Sequence, residues 1–361
     1  MTRRRVPACP AALALAAPVL AALGLLSGCF GGPSRDSATL FPSDSLSVRI
    51  EAGVPVDTLR LRWAAGRPEG VSLPVATSLA WAPGGGLVVA ETQRGSLHFW
   101  SEDGAYAGVA ALPEAGAPRY PYLVGTAGDA LVVHSRGLDR LEVLRAAPGG
   151  TATLVRQIAL PEGAQGAALL GAGAGARLGG DAPALVVVGP EGAVRARHPI
   201  DAPAWRVNGF VRAWGDSLVG LSGYRPVVDL LPPGRPDGHP ADTLALAGFV
   251  SPQLRRSAQF VRGDAKEPPL LTSSAAPLGD RLFVLNLRLD HTRIDVYGRD
   301  GRLERVLVSP RPWQISERYA VDVAARARPG GGAEFAVLTQ RQPGLLQRTG
   351  FELLVYRWDG P

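Results

Sequence analysis

Five arginines recur at comparable places along the chain, each just after a short apolar, β-rich run: AETQRG (Arg94), HSRG (Arg136), SGYRP (Arg225), LNLRLD (Arg288) and TQRQPG (Arg341). A guanidinium is a planar fork of N–H donors that matches carboxylate, sulfate or phosphate oxygens. If the fold brings the five loops to one face, their chemistry is that of an anion site, suited to an anionic glycan or an acidic peptide. Tyr224, beside Arg225, would offer a ring for stacking. The competing expectation is that nearby carboxylates such as Glu91, Asp139 and Asp290 neutralise the arginines one by one.

Catalytic patterns are weak by comparison. Gly-Asp-Ser-Leu at 215–218 resembles the opening of a serine-esterase motif, yet the same slot reads GDALVV at 128–133 and GDRLFV at 279–284. Ser217 therefore occupies a turn position that accepts Ala or Arg, and no G-x-S-x-G elbow accompanies it. The Gly-Ala tract at 171–180 lacks the Lys-Ser/Thr of a phosphate loop and is expected to be a flexible loop or a poor strand. The five histidines are dispersed, without the close ligand spacing of a metal site. An alternative is a metal-dependent hydrolase or lyase, lactonase-like, drawing on His134, Asp290 and His291. No cofactor is otherwise implied.

Loops can converge only if the elements behind them do, and those elements repeat. Six segments share a β-rich run, a turn ending in glycine and a second alternating run: 97–112, 141–160, 185–200, 228–246, 294–308 and 353–360. Their turn glycines (Gly104, Gly150, Gly192, Gly238, Gly301, Gly360) lie 46, 42, 46, 63 and 59 residues apart, the spacing of one four-stranded blade each. Upstream of most lies a second run opened by Gly-Asp or Gly-Gly, such as GDALVVHS at 128–135 and GDRLFVLN at 279–286. The glycine supplies the positive φ of a hairpin turn.

The fold class expected is all-β, a six-bladed β-propeller. The sixth unit lacks an outer strand, and residues 46–62 hold two unpartnered alternating stretches. One of them, most simply Val56 to Arg62, is expected to pair with Phe351 to Trp358 and close the ring, removing its edges. Blade three, rich in Ala and Gly over 163–181, is hard to place, and five blades, or seven using 239–277, stay open. No sustained 3.6-residue period is visible after residue 45.

The units at 291–307 and 138–144 resemble NHL-type repeats, through Arg293, Ile294, Val296, Tyr297, Asp300 and Gly301, and through Arg140, Leu141 and Val143. That resemblance implies the wider class of NHL-like or TolB-like propellers and selects no activity.

At the amino end, Arg3, Arg4 and Arg5 precede sixteen residues, Ala11 to Leu26, broken by Pro18, and then Leu26-Ser27-Gly28-Cys29. A basic start, a short apolar core and small residues describe an export signal, and the core falls short of the roughly 20 apolar residues a spanning helix needs. The last four residues resemble the lipobox of bacterial lipoproteins. This implies cleavage before Cys29, acylation of its sulfur and new amine, and a membrane tether outside the cytoplasm. Phe30 next to it, in place of Asp, points to the outer membrane in a two-membrane cell.

The expected organisation is thus 1–28 signal, 29–45 acylated Cys29 and flexible tether, and 46–361 propeller. Cys9 leaves with the signal, so the mature chain has no internal disulfide. Without the three signal arginines, 35 basic residues face 32 acidic ones, too even a balance to suggest nucleic acid. A monomeric, non-enzymatic binding module for an envelope protein, peptide or glycan is the expected role.

Overall fold

The protein is described by a computed structural model, covering residues 44–66, 68–71, 73, 75–114, 119–288, 291–310, 318–341 and 350–360. Cys29 and Asp290 lie outside the described residues.

Six antiparallel sheets stand in a ring. The innermost strands are Ala76–Trp81, Pro121–Ala127, Ala164–Leu170, Gly209–Trp214, Thr272–Leu278 and Arg318–Ala327, and each neighbours the next around an axis. Each hairpins into a second strand. In four blades two residues make that turn, and its first residue is a glycine: Gly128, Gly171, Gly215 or Gly279, with φ of 61°, 55°, 61° and 58°. That left-handed start is what a tight hairpin between twisted strands requires. Ser217 is the residue that follows one of these turns, paired with Trp214. The second strands, such as Leu87–Glu91 and Ala130–Ser135, are buried throughout, because a neighbouring blade packs on each face.

The ring closes through the amino-terminal segment, with the register moved from the expected one. Arg60–Gly66, not Val56–Arg62, pairs antiparallel with Phe351–Trp358 as the outer strand of blade six. Val56–Thr58 instead runs parallel to Leu303–Val308 and gives blade five a fifth strand. The two alternating stretches of 46–62 thus serve two different sheets, and Leu59, fully buried between them, is the pivot.

Of the loop and the poor strand expected for the Gly-Ala tract, the strand is found: Gly173–Leu178, mostly buried. It is Gly- and Ala-rich because blade four presses on it: a Cβ at Gly175 would lie 2.6 Å from the Leu218 methyl carbons. Helices do occur after residue 43. Asp44–Ala52 begins inside the segment read as tether. Leu254–Arg262 occupies the stretch considered for a seventh blade, burying Leu254, Ser257 and Val261. That helix lasts about two turns, too few for its period to stand out in the sequence.

Candidate functional site

The loops after the second strands share one end of the ring, and there the five arginines part company. Glu91 closes its own loop by accepting the N–H groups of Gln93 (2.9 Å) and Arg94 (2.5 Å), which leaves the Arg94 side chain exposed, without a partner among the described residues. Arg136 opens a single 3-10 turn and lies over the ring of Tyr122, 5.4 Å from its centre. Arg288 is half-buried, donating to Asn286 Oδ1 (2.7 Å) and Val250 O (2.7 Å). The backbone of Arg341 ends the strand Ala333–Arg341; its side chain is outside the described set.

Arg225 does not join an open rim. It is buried, with Nη2 bonded to both carboxylate oxygens of Asp229 at 2.9 and 2.8 Å and Nε to Arg206 O at 3.1 Å. Tyr224 turns inward with it, 8% exposed and edge-on to Trp205. Arg225 is held because Asp229 on the third strand must be neutralised. Arginine also clasps a third-strand acid in two other blades, joined there by the last residue of the second strand. Glu142 takes Arg119 Nη1 (2.6 Å), Arg140 Nη2 (3.0 Å) and Ser135 Oγ. Asp295 takes Arg293 Nε (2.7 Å) and Asn286 Nδ2 (2.5 Å). The NHL-like residues Arg140 and Arg293 are therefore framework.

Sequence reasoning missed the segment that joins the Arg94 and Arg136 loops. Arg119 O accepts the N–H of Gly137, and Tyr120 O that of Arg136. On the other side, a Cβ at Gly95 would lie 3.7 Å from Arg119 Cδ. Tyr120 holds a left-handed backbone (φ 46°) and is 43% exposed. A bulky residue in that conformation is strained, and strain of this kind gathers where a side chain is displayed for use. Positive φ cannot be read from a Tyr codon position, so the sequence carried no signal for it. Arg94, Tyr120, Tyr122 and Arg136 thus belong to neighbouring loops and strand ends of blades one and two, with Arg136 over Tyr122.

Of the alternative metal ligands, His134 and His291 lie among the described residues and Asp290 does not. His134 is 1% exposed, and no bond to its Nε2 is made among the described residues. His291 is half-buried. Among the described residues no three His, Cys, Asp or Glu side chains stand close enough to share an ion.

Burial, reinforced by Arg136, pushes His134 down to about 3, so it is neutral in the fold. Burial, with Arg94, likewise lowers His98 to about 4, while its ring bonds Ser96 and Tyr106. In the unfolded chain these groups protonate below about 6.5. The unfolded state thus binds more protons between pH 6.5 and 3, and stability falls as the pH falls through that window. From His134 alone the loss is expected to be about 3 kcal/mol between pH 7 and 4.5. Urea unfolding at the two pH values checks this: His134→Leu should show a correspondingly smaller drop than the parent, and an equal drop would refute the assignment.

At the axis, Asp322 of blade six links four blades. Its oxygens accept Leu79 N (2.9 Å), Ser274 Oγ (2.5 Å) and Arg212 Nη2 (3.3 Å). Desolvation raises the Asp322 carboxyl and lowers Arg212. Beside Arg212 lies a chamber of about 340 Å³ walled by the innermost strands of all six blades.

No family model matches the chain, and no curated protein matches it. Solved structures do resemble it. Virginiamycin B lyase from Staphylococcus aureus is 9% identical, with 82% of this chain and 99% of that one covered at a TM-score of 0.49. Regucalcin, a calcium-binding protein from Agrobacterium tumefaciens, is 13% identical over 85% and 97%, TM-score 0.49. Glutaminyl cyclase from Myxococcus xanthus is 11% identical over 85% and 100%, TM-score 0.41. The chain is a β-propeller. Likeness at this identity concerns fold alone, and propellers host unrelated chemistries.

Proposed function

We propose that this protein is an exported lipoprotein, acylated at Cys29 and held at the cell envelope, in the outer membrane of a two-membrane cell, where its propeller captures an anionic glycan. The observation that supports this most is the pairing of two guanidinium groups, Arg94 and Arg136, on adjacent loops with no carboxylate partner among the described residues. Two tyrosines accompany them: Tyr122 under Arg136, and the exposed Tyr120, whose carbonyl accepts the N–H of Arg136. Forked donors take the acid groups of a sugar chain, and the rings take its apolar faces.

Titration calorimetry with galacturonic acid oligomers, against neutral galactose oligomers of equal length, tests the ligand class. Saturable binding of the acidic oligomer is expected, weakened about tenfold or more by the Arg94→Ala, Arg136→Ala double substitution and by raising salt. Equal affinity for the neutral oligomer would overturn the reading. The anchor is tested separately: Cys29→Ala should move the protein from the membrane to the soluble fraction of the producing cells, and unchanged membrane retention would overturn acylation.

A further inference from the structure

The axial chamber opens towards the hairpin turns, at the end of the ring opposite the arginine loops. Trp81, Thr126, Ala213 and Pro277, which stand at or next to the inner ends of those turns, line it together with Arg326. Its other walls are Leu79, Leu123, Val124, Ala168, Leu169 and Val323, apolar and contributed by four blades. At about 340 Å³ it falls within the size of small-ligand sites.

Two charged side chains of opposite availability line this space. Arg326 is fully engaged: its Nη1 donates to Gly85 O (2.8 Å), its Nε to Glu334 Oε2 (2.9 Å) and its Nη2 to Glu334 Oε2 and Glu102 Oε1 (2.5 and 2.7 Å), while its plane stacks 3.9 Å over Trp81. It is a fixed rim. Arg212 is less engaged, its guanidinium carbon lying 5.0 Å from the centre of the Phe210 ring. Its Nη1 reaches the carbonyl of Val211 (3.1 Å) and its Nη2 reaches Asp322 at 3.3 Å, a carboxylate already taking bonds from Ser274 and Leu79. The other N–H groups of Arg212 have no partner among the described residues, and the chamber is the open space beside them. A guanidinium with unused donors in an apolar enclosure is a strong site for an oxyanion, since low local polarity strengthens the bond.

We infer that the chamber binds a small monocarboxylate with a short aliphatic body, its carboxylate on Arg212 and its chain along the Leu79, Leu123 and Leu169 wall. A free alcohol or amine of the same length lacks the acceptor pair and is rejected. This site is independent of the loop-face reading and lies at the other end of the ring.

The test is calorimetry on the purified chain with acetate, butanoate, hexanoate and octanoate, and with hexan-1-ol as the uncharged control. One-to-one binding is expected to tighten with chain length until the chamber is filled, with hexanoate at least tenfold tighter than hexanol. Thr126→Trp, at the exposed mouth, should abolish binding without changing the thermal midpoint. Arg212→Lys, which keeps the charge but loses the fork, should weaken hexanoate about tenfold. Absence of saturable binding, equal affinity for hexanol, or indifference to Thr126→Trp would each overturn the assignment.

Discussion

Gly220→Ala is expected to destabilise the fold by about 3 kcal/mol or more, although it adds a single methyl group. Arg177 leaves blade three and crosses into blade four, fully buried, where it donates to Val207 O (2.5 Å), Leu221 O (3.3 Å) and Asp229 Oδ2 (3.2 Å). An ideal Cβ on Gly220 would stand 1.8 Å from Arg177 Nη2 and 2.7 Å from its Cζ. The guanidinium is fully buried, and moving it breaks these bonds. Either it withdraws, stranding part of the Asp229 charge, or the second strand of blade four shifts against its neighbours. Urea denaturation measures the loss. In an Arg177→Ala background the same substitution should cost less than about 1 kcal/mol, because the clash is gone. Equal costs in the two backgrounds would sink the explanation.

Asp322→Ala should be worse, about 4 kcal/mol, because it strands a buried cation, Arg212, together with the Ser274 hydroxyl and the Leu79 N–H. These groups belong to blades four, five and one, so the substitution acts on the centre of the ring. Asp322→Asn keeps an acceptor for two of the three donors and should lose roughly half as much. Chemical denaturation of the three proteins gives the order parent, Asn, Ala. An Ala variant within 1 kcal/mol of the parent would show that the axial bonds contribute little.

Six blades were legible in the sequence because turn glycines mark most of the hairpins and burial makes the second strands apolar. The features that escaped are those set by distant packing. The Gly-Ala tract read as a loop or a poor strand since its small residues answer to Leu218 on another blade. The closing register slipped because both halves of 46–62 alternate, and only the sheets they join distinguish them. The arginine pattern located the loops correctly but not the direction of each side chain. Arg225 is drawn inward by Asp229, four residues ahead on a strand, and nothing local announces that. Tyr120 and Arg119 had no pattern at all: their importance comes from where the blade-two loop lays its backbone between two neighbours.

The seam of the ring has a mechanical consequence. Arg60–Gly66 is the segment that joins first and last blades, and it is continuous with the chain leading back through Val56–Thr58 and the helix Asp44–Ala52. Any pull exerted on the amino terminus therefore meets the clasp on blade five first and the closure of blade six next. Tension from that side passes through blade five to the junction whose failure would open the whole circle, while blades two, three and four bear none of it directly.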